Sequence, residues 1–273
     1  MNAVERFCRN VRHAPGLEGL SSVWNLARPA YDRVLHSVLF PAGLERVING
    51  TDRIRVSPRC RWIPENYEPE VWRRLMPELH PGDTFVDVGA HVGLYTMAAA
   101  LRVGPSGRVM AFEPDPQSCA LLRENVRLNA LQGQITVEEA VVGRHAGSVR
   151  FLAGGESESR VATAAEAGAD ALTVRSLALD GSVLGRVAVL KVDVEGYEEE
   201  VLRGALGLLT SPERRPRAIF VEAHPYAWEA VGTTSESLLA LLDGAGYTVT
   251  GADDREVHNL ARWGEIIARP SKG

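Results

Sequence analysis

Thr84-Phe-Val-Asp-Val-Gly-Ala-His-Val-Gly-Leu-Tyr-Thr-Met-Ala-Ala-Ala100 is the stretch whose reading decides the fold. Thr84 to Val88 is short, mostly apolar and rich in β-branched and aromatic residues, which predicts a buried strand. Gly89 and Gly93 punctuate it, and from His91 to Arg102 the alanine- and leucine-rich run predicts a helix. Strand, glycine turn and helix make up the start of a βαβ unit. In such a unit the turn lets a ligand approach the backbone beside a helix N-terminus.

The same rhythm continues outward. Arg108–Glu113 reads as the next strand, and Asp115-Pro116 opens a helix with Asp as N-cap and Pro in the first turn. Strands are expected at Gln134–Val142, Val149–Leu152, Leu172–Leu179, Val187–Val194 and Arg217–His224, with helices at Tyr197–Leu209 and Ser235–Leu242. This alternation predicts an α/β fold, a mostly parallel sheet with helices on both faces. Residues 1–80 hold three of the five tryptophans, several prolines and one extended stretch, Arg53–Trp62. They read as a small appendage on a main domain of residues 81–273. Gly154–Asp170 is small, polar and alanine-rich, and reads as a loop or short helix.

Composition narrows the class. The chain has 273 residues, 45% hydrophobic and 24% charged, with a net charge of −5. That suits a soluble globular protein and argues against a partner bound by neutralising phosphates, so no nucleic acid is expected. No apolar run approaches the roughly 18 residues of a bilayer span, so no membrane segment is expected either. The opening MNAVERFCRNVRH has no apolar h-region, so no secretory signal is expected. Cys8, Cys60 and Cys119 are too few and too scattered for a disulfide framework and read as cytoplasmic thiols. Of the 30 basic residues only Lys191 and Lys272 are lysines, a bias that hints at a high-GC bacterial source. Oligomeric state leaves no mark on the sequence.

In an open α/β sheet, ligands bind beyond the carboxyl ends of the strands. After the first strand come Asp87, Gly89, His91 and Gly93. After the second come Glu113 and Pro114, with Glu113 twenty residues past Gly93, where an acidic side chain meets the hydroxyls of an adenosine ribose. The loop lacks the G-x-G-x-x-G of a dinucleotide site, because His91 fills the second glycine position. A ligand with a methionine-like middle suits it better, Asp87 meeting its ammonium or sulfonium charge. A second cluster lies in Val189-Leu-Lys-Val-Asp-Val-Glu-Gly196 and Phe220-Val-Glu-Ala-His-Pro225. The strand period of two puts Lys191 with Asp193, and Glu222 with His224. Charges on strands this apolar need partners or a task. Asp193 or His224 is the candidate base, with Glu222 orienting the imidazole. Asp193, Glu222 and His224 are also a candidate set for a hard divalent ion such as Mg2+. The plainer alternative is an ion-pair network, which Lys191 fits best.

Asp87–Ala100, Ala111–Leu131, Leu190–Ala205 and Ile219–Pro225 together resemble the FkbM family of S-adenosylmethionine-dependent methyltransferases over roughly Pro81 to Tyr247. The resemblance implies a class I methyltransferase (Rossmann-like) fold with a seven-stranded sheet and S-adenosyl-L-methionine as cofactor. It also implies O-methylation of a hydroxyl on a sugar or secondary metabolite, as in antibiotic and other natural product biosynthesis. By position, Asp87, Gly89 and Gly93 fall in the family's cofactor loop and Glu113 at its ribose contact. Asp193, Glu195 and Gly196 form its D-x-E-G element, and Glu222 with His224 its late E-x-H element. His91 departs from the family's usual Asn. Trp24, Tyr31, Trp62 and Tyr67 are candidates for an aromatic wall over a small-molecule acceptor, glycosidic or polyketide-like. The rival readings are a nicotinamide-dependent oxidoreductase and a cofactor-binding module without catalysis.

Overall fold

The structure, a computed structural model, describes residues 41–154, 159–163, 166, 168, 171–251 and 253–271. Trp24, Tyr31 and Cys8 lie outside the described residues, as does part of the Gly154–Asp170 stretch. The chain runs β1 (Leu44–Ile48), β2 (Asp52–Val56), α1 (Pro69–Leu75), β3 (Thr84–Val88), α2 (Leu94–Val103), β4 (Arg108–Phe112), α3 (Pro116–Leu128) and β5 (Ile135–Glu138). It continues through β6 (Val141–Val142), β7 (Gly147–Leu152), β8 (Arg160–Val161), β9 (Leu172–Leu177), α4 (Leu179–Ser182) and β10 (Val189–Val192). The last part is α5 (Glu198–Arg203), α6 (Leu206–Thr210), β11 (Ala218–Ala223), α7 (Pro225–Trp228), α8 (Ser235–Gly244), β12 (Tyr247–Gly251) and β13 (Gly264–Pro270).

Seven strands form the main sheet in the order β12-β13-β11-β10-β3-β4-β5. Pairing is parallel from β11 through β5, and β13 runs antiparallel to both of its neighbours. The chain builds outward from β3 to β5 and then restarts at β10 on the other side of β3. Strand order therefore reverses between β3 and β10, and their carboxyl ends frame a crevice. The mostly parallel, seven-stranded sheet that the resemblance implies is present, but its membership differs: the strands expected at Val149–Leu152 and Leu172–Leu179 lie in a separate sheet, and β12 and β13, which were not expected, complete the main one. The single strand expected at Gln134–Val142 is split, because β6 leaves the main sheet to pair with β9 in a four-stranded sheet with β7 and β8. The helix expected at Tyr197–Leu209 is broken at Gly204, where a side chain would meet the Gly143 carbonyl.

One apolar cluster covers each face of the sheet. On one face Met97, Ala98 and Val103 of α2 and Leu122 and Val126 of α3 pack with Phe85 and Val109. Leu44, Ile48, Ile54 and Val56 of the β1–β2 hairpin, and Trp72 and Leu75 of α1, belong to that same cluster. On the other face Val86, Leu190 and Val221 pack with Val201, Leu202, Leu208 and Leu242. Polar ties fix the hairpin in place. The buried Asn125 of α3 accepts from Ser57 N (2.7 Å) and donates to the Val92 carbonyl (2.9 Å). Asp52 accepts from Trp72 Nε1 (2.7 Å) and pairs with Arg102 of α2. No described helix is long and apolar enough to cross a membrane.

Candidate active site

A cavity of about 280 Å3 opens at the crevice, lined by the ends of β3, β4, β10 and β11 and by Trp62, Tyr67 and Phe151. It has two halves, one beside β3 and β4 and the other beside β10 and β11.

The first half is a backbone cradle. Asp87, one residue before the end of β3, is almost fully buried, its Oδ2 accepting from Thr96 Oγ1 (2.6 Å). Its Oδ1 is buried with no hydrogen-bond partner, and burial holds its carboxyl above the ordinary range. Such an atom calls for a donor or a cation from a ligand. Gly89 has φ +82°, and a Cβ there would lie 1.7 Å from the Asp193 carbonyl oxygen, so only glycine lets this turn touch the end of β10. Gly93 caps α2 at φ +89° and leaves room for Leu122. Glu113, 6% exposed, accepts from His91 N (2.7 Å) through Oε2 and from Asp115 N (2.8 Å) through Oε1. Burial pushes its carboxyl up to about 7. His91 holds a left-handed φ of 51°, and its ring faces Trp62 at 5.7 Å between centroids. Burial lowers its imidazole below the usual value and so favours the neutral ring. Pro114 lines the cavity beside Glu113. Asp87, Gly89, His91, Gly93, Glu113 and Pro114 thus share one wall.

The second half is a pair of charge clusters. Register pairs Lys191 with Asp87 on β3 and with Phe220 on β11. Lys191 Nζ donates to Asp193 Oδ2 (2.9 Å) and sits 4.8 Å from the centre of the Tyr95 ring. Burial alone would lower its ammonium, but Asp193, Asp87 and Glu68 outweigh that and hold it well above the usual lysine value. Glu68 accepts from Tyr95 Oη (2.9 Å). The ion-pair reading of Lys191 fits this environment.

The other cluster centres on His224, the N-cap of α7, which is 3% exposed. Its Nδ1 lies 2.7 Å from Glu198 Oε1, and its Nε2 faces Glu195 Oε2 at 3.5 Å and Glu222 Oε1 at 3.6 Å. The carboxylate on Nδ1 is therefore Glu198, where the sequence reading gave Glu222 that task. Burial would lower this imidazole, but Glu198, Glu222 and Glu195 push it up to about 10. Asp193, Glu195 and Glu222 line the cavity, whereas His224 stands behind them. Of the two candidate bases, Asp193 lies on the cavity wall and His224 does not. Glu195 accepts from Tyr226 Oη (2.6 Å), and Glu222 from Trp263 Nε1 (2.8 Å). Burial would raise the Glu222 carboxyl, but His224 and Lys191 beside it hold it below the usual range.

Ligand atoms of Asp193, Glu195 and His224 lie within 4.8 Å of one another, close enough to share a metal ion. Glu195 enters the set in which the sequence reading placed Glu222. Gly196 explains how Glu195 gets there: at φ +99° its missing Cβ would stand 2.4 Å from Ala227 Cβ, so the turn after β10 seats directly on α7. Glu68, Glu198, Tyr226 and Trp263 escaped the sequence reading. Glu198 sits in a Glu-Glu-Glu run that looks like a solvated helix face, and Trp263 lies 41 residues beyond its partner Glu222.

The FkbM methyltransferase domain matches residues 87–249. The chain is 27% identical to the 31-O-demethyl-FK506 methyltransferase FkbM of Streptomyces tacrolimicus, over 67% of this chain and 82% of that one. It is also 27% identical to the hexuronic acid methyltransferase AglP of Haloferax volcanii, over 53% and 59% of the two chains. Among solved structures it is similar to the methyltransferase FkbM of Methylobacillus flagellatus, with 17% identity, TM-score 0.45, 70% of this chain covered and 44% of that one. With the family match running from Asp87 past His224 and so covering the glycine turn, Glu113, Lys191, Asp193, Glu195, Glu198 and Glu222, the chain belongs to the FkbM methyltransferase family and is an S-adenosylmethionine-dependent methyltransferase.

Proposed function

We propose that the protein O-methylates a hydroxyl of a sugar or natural-product acceptor. The observation that carries this reading is the single cavity with Asp87, Gly89 and Glu113 in one half and Asp193 and Glu222 in the other. When bound, S-adenosylmethionine supplies an already electrophilic methyl group. The first half fits it in chemistry: the unpartnered Asp87 Oδ1 meets positive charge, the glycine turn admits a close ligand, and Glu113 accepts from ribose hydroxyls. What remains for the chain is to orient the acceptor hydroxyl and take up its proton. Asp193 is the base, its Oδ2 fixed by Lys191. Glu222 holds the acceptor in place, and Trp62 and Tyr67 supply apolar surface beside it. Two relatives bear names of this chemistry, one methylating a 31-O position and the other a hexuronic acid. Cytoplasmic residence is part of the same proposal, supported by the buried, unpaired Cys60 and Cys119.

Calorimetric titration with S-adenosylmethionine, S-adenosylhomocysteine and NAD tests the cofactor half. Micromolar binding of the first two, lost in Glu113→Ala, is expected; binding of NAD alone would return the oxidoreductase reading. An acceptor screen then separates an enzyme from a bare cofactor-binding module. In Asp193→Asn we expect turnover to drop about 100-fold with cofactor affinity unchanged, whereas equal losses in both would make Asp193 structural.

A second reading is carried by the proximity of Asp193, Glu195 and His224. A divalent ion held there would lower the hydroxyl pKa. Titration of the protein with Mn2+ or Mg2+ should then show one site, lost in Glu195→Gln. No saturable site would leave the proton to Asp193 alone.

A further inference from the structure

Glu198 is 0% exposed, and a carboxylate that deep is stable only if every lone pair in reach is used. Its Oε1 accepts from Gly196 N (2.9 Å) and faces His224 Nδ1 (2.7 Å), while its Oε2 accepts from Trp228 Nε1 (2.7 Å). The partners come from the turn after β10, the end of β11 and the end of α7. Two are N–H groups that can only donate, so both oxygens of Glu198 accept, and the ring nitrogen facing Oε1 is placed to donate to it. With the Nδ1 edge fixed to Glu198, the Nε2 edge turns to Glu195 and Glu222, the carboxylates that reach the cavity.

We propose that Glu198 is a positioning residue: it sets which edge of the His224 ring faces the cavity and so holds Glu195 and Glu222 in their working places. Its consequence for turnover rests on the methyl-transfer reading above, but its effect on the ring does not. Without Glu198 the ring is free to turn, and Glu195 and Glu222 lose the ring nitrogen that both of them face. The plain alternative is that Glu198 merely glues α7 to β10. Trp228 separates the two, because Trp228→Phe removes a hydrogen bond from the same carboxylate without touching its contact to His224.

The experiment compares wild type, Glu198→Gln and Trp228→Phe, each with 15N-labelled histidine and saturated with S-adenosylhomocysteine, using His224→Gln to assign the signal. The wild type should show a proton on His224 Nδ1 that exchanges slowly with water. Glu198→Gln, whose amide carbonyl holds that proton more weakly than a carboxylate, should speed its exchange with water, and Trp228→Phe should leave it slow. S-adenosylhomocysteine release, measured with the acceptor found by screening, should fall about 10- to 100-fold in kcat for Glu198→Gln at unchanged cofactor affinity. Trp228→Phe should stay within about threefold of wild type even if its melting temperature drops as far. An Nδ1 proton that exchanges as slowly in Glu198→Gln as in the wild type overturns the proposal, as does a Trp228→Phe variant that loses as much kcat. Wild-type protein that fails to bind the cofactor would overturn the methyl-transfer reading instead, and the imidazole signal, measured then without ligand, would still decide the role of Glu198.

Discussion

Glu113 shows how one buried side chain makes ligand affinity depend on pH. Burial raises its carboxyl from 4.5 to about 7, so between those values the folded state holds a proton that the unfolded chain has released. Stability from this residue is therefore fully present below pH 4.5 and declines as pH rises through 7. In the proposed ribose contact the hydroxyls would donate to the ionised form, so cofactor affinity should move in the opposite direction. Between pH 6 and pH 8 we expect S-adenosylmethionine to bind up to about tenfold more tightly, with Glu113→Gln weaker and flat across the range. Calorimetry at four pH values would measure this, and a wild-type profile as flat as the variant's would remove Glu113 from the ribose contact. At this scale the sequence was readable wherever spacing carries the chemistry. Asp87 lies one residue before the end of β3, and Glu113 and Asp193 directly follow β4 and β10, so the strand pattern alone brings the three to one edge of the sheet. Glu198 was unreadable because its burial depends on Trp228 and His224, which arrive only after another strand has been laid down.

At the scale of elements, the hairpin β1–β2 is tied to two helices through Asp52. That carboxylate accepts from Trp72 Nε1 and Thr51 Oγ1 and pairs with Arg102 of α2. Burial would raise it, but these partners hold it below the ordinary aspartate range. Asp52→Ala strands a buried indole N–H and one side of an ion pair, and should cost about 3 kcal/mol in chemical denaturation. A loss under about 1 kcal/mol would mean that water replaces the carboxylate there. Strand and helix positions were largely legible from periodicity, because the central strands are apolar on both faces and the helices alternate with them. The second sheet was not. Val141-Val142 looks like a continuation of β5, and only its pairing with β9, more than 30 residues away, pulls it out of line.

Over the whole molecule, residues 41–79 share a continuous apolar cluster with α2 and α3 and place Trp62, Tyr67 and Glu68 on the cavity wall. The sequence reading drew a boundary at residue 80 because tryptophans and prolines crowd before it, but composition does not reveal whose core a side chain enters. Removal of residues 1–80 exposes Met97, Val126 and their neighbours to water, so the remaining chain should aggregate or lose cooperative unfolding. A truncated chain that melts cooperatively and still binds S-adenosylhomocysteine would show that the boundary is a true domain border.

Lys191 carries a practical consequence. The chain has only one other lysine, Lys272, and the Lys191 ammonium lies 5% exposed between Asp193 and the Tyr95 ring. An acylating reagent aimed at amines reaches this side chain through the cavity it lines, and only when its ion pair with Asp193 breaks. The rate at which residue 191 acquires an acyl tag, followed by peptide mass spectrometry, is therefore a built-in clock for breaking of that ion pair, and a bound ligand should slow it.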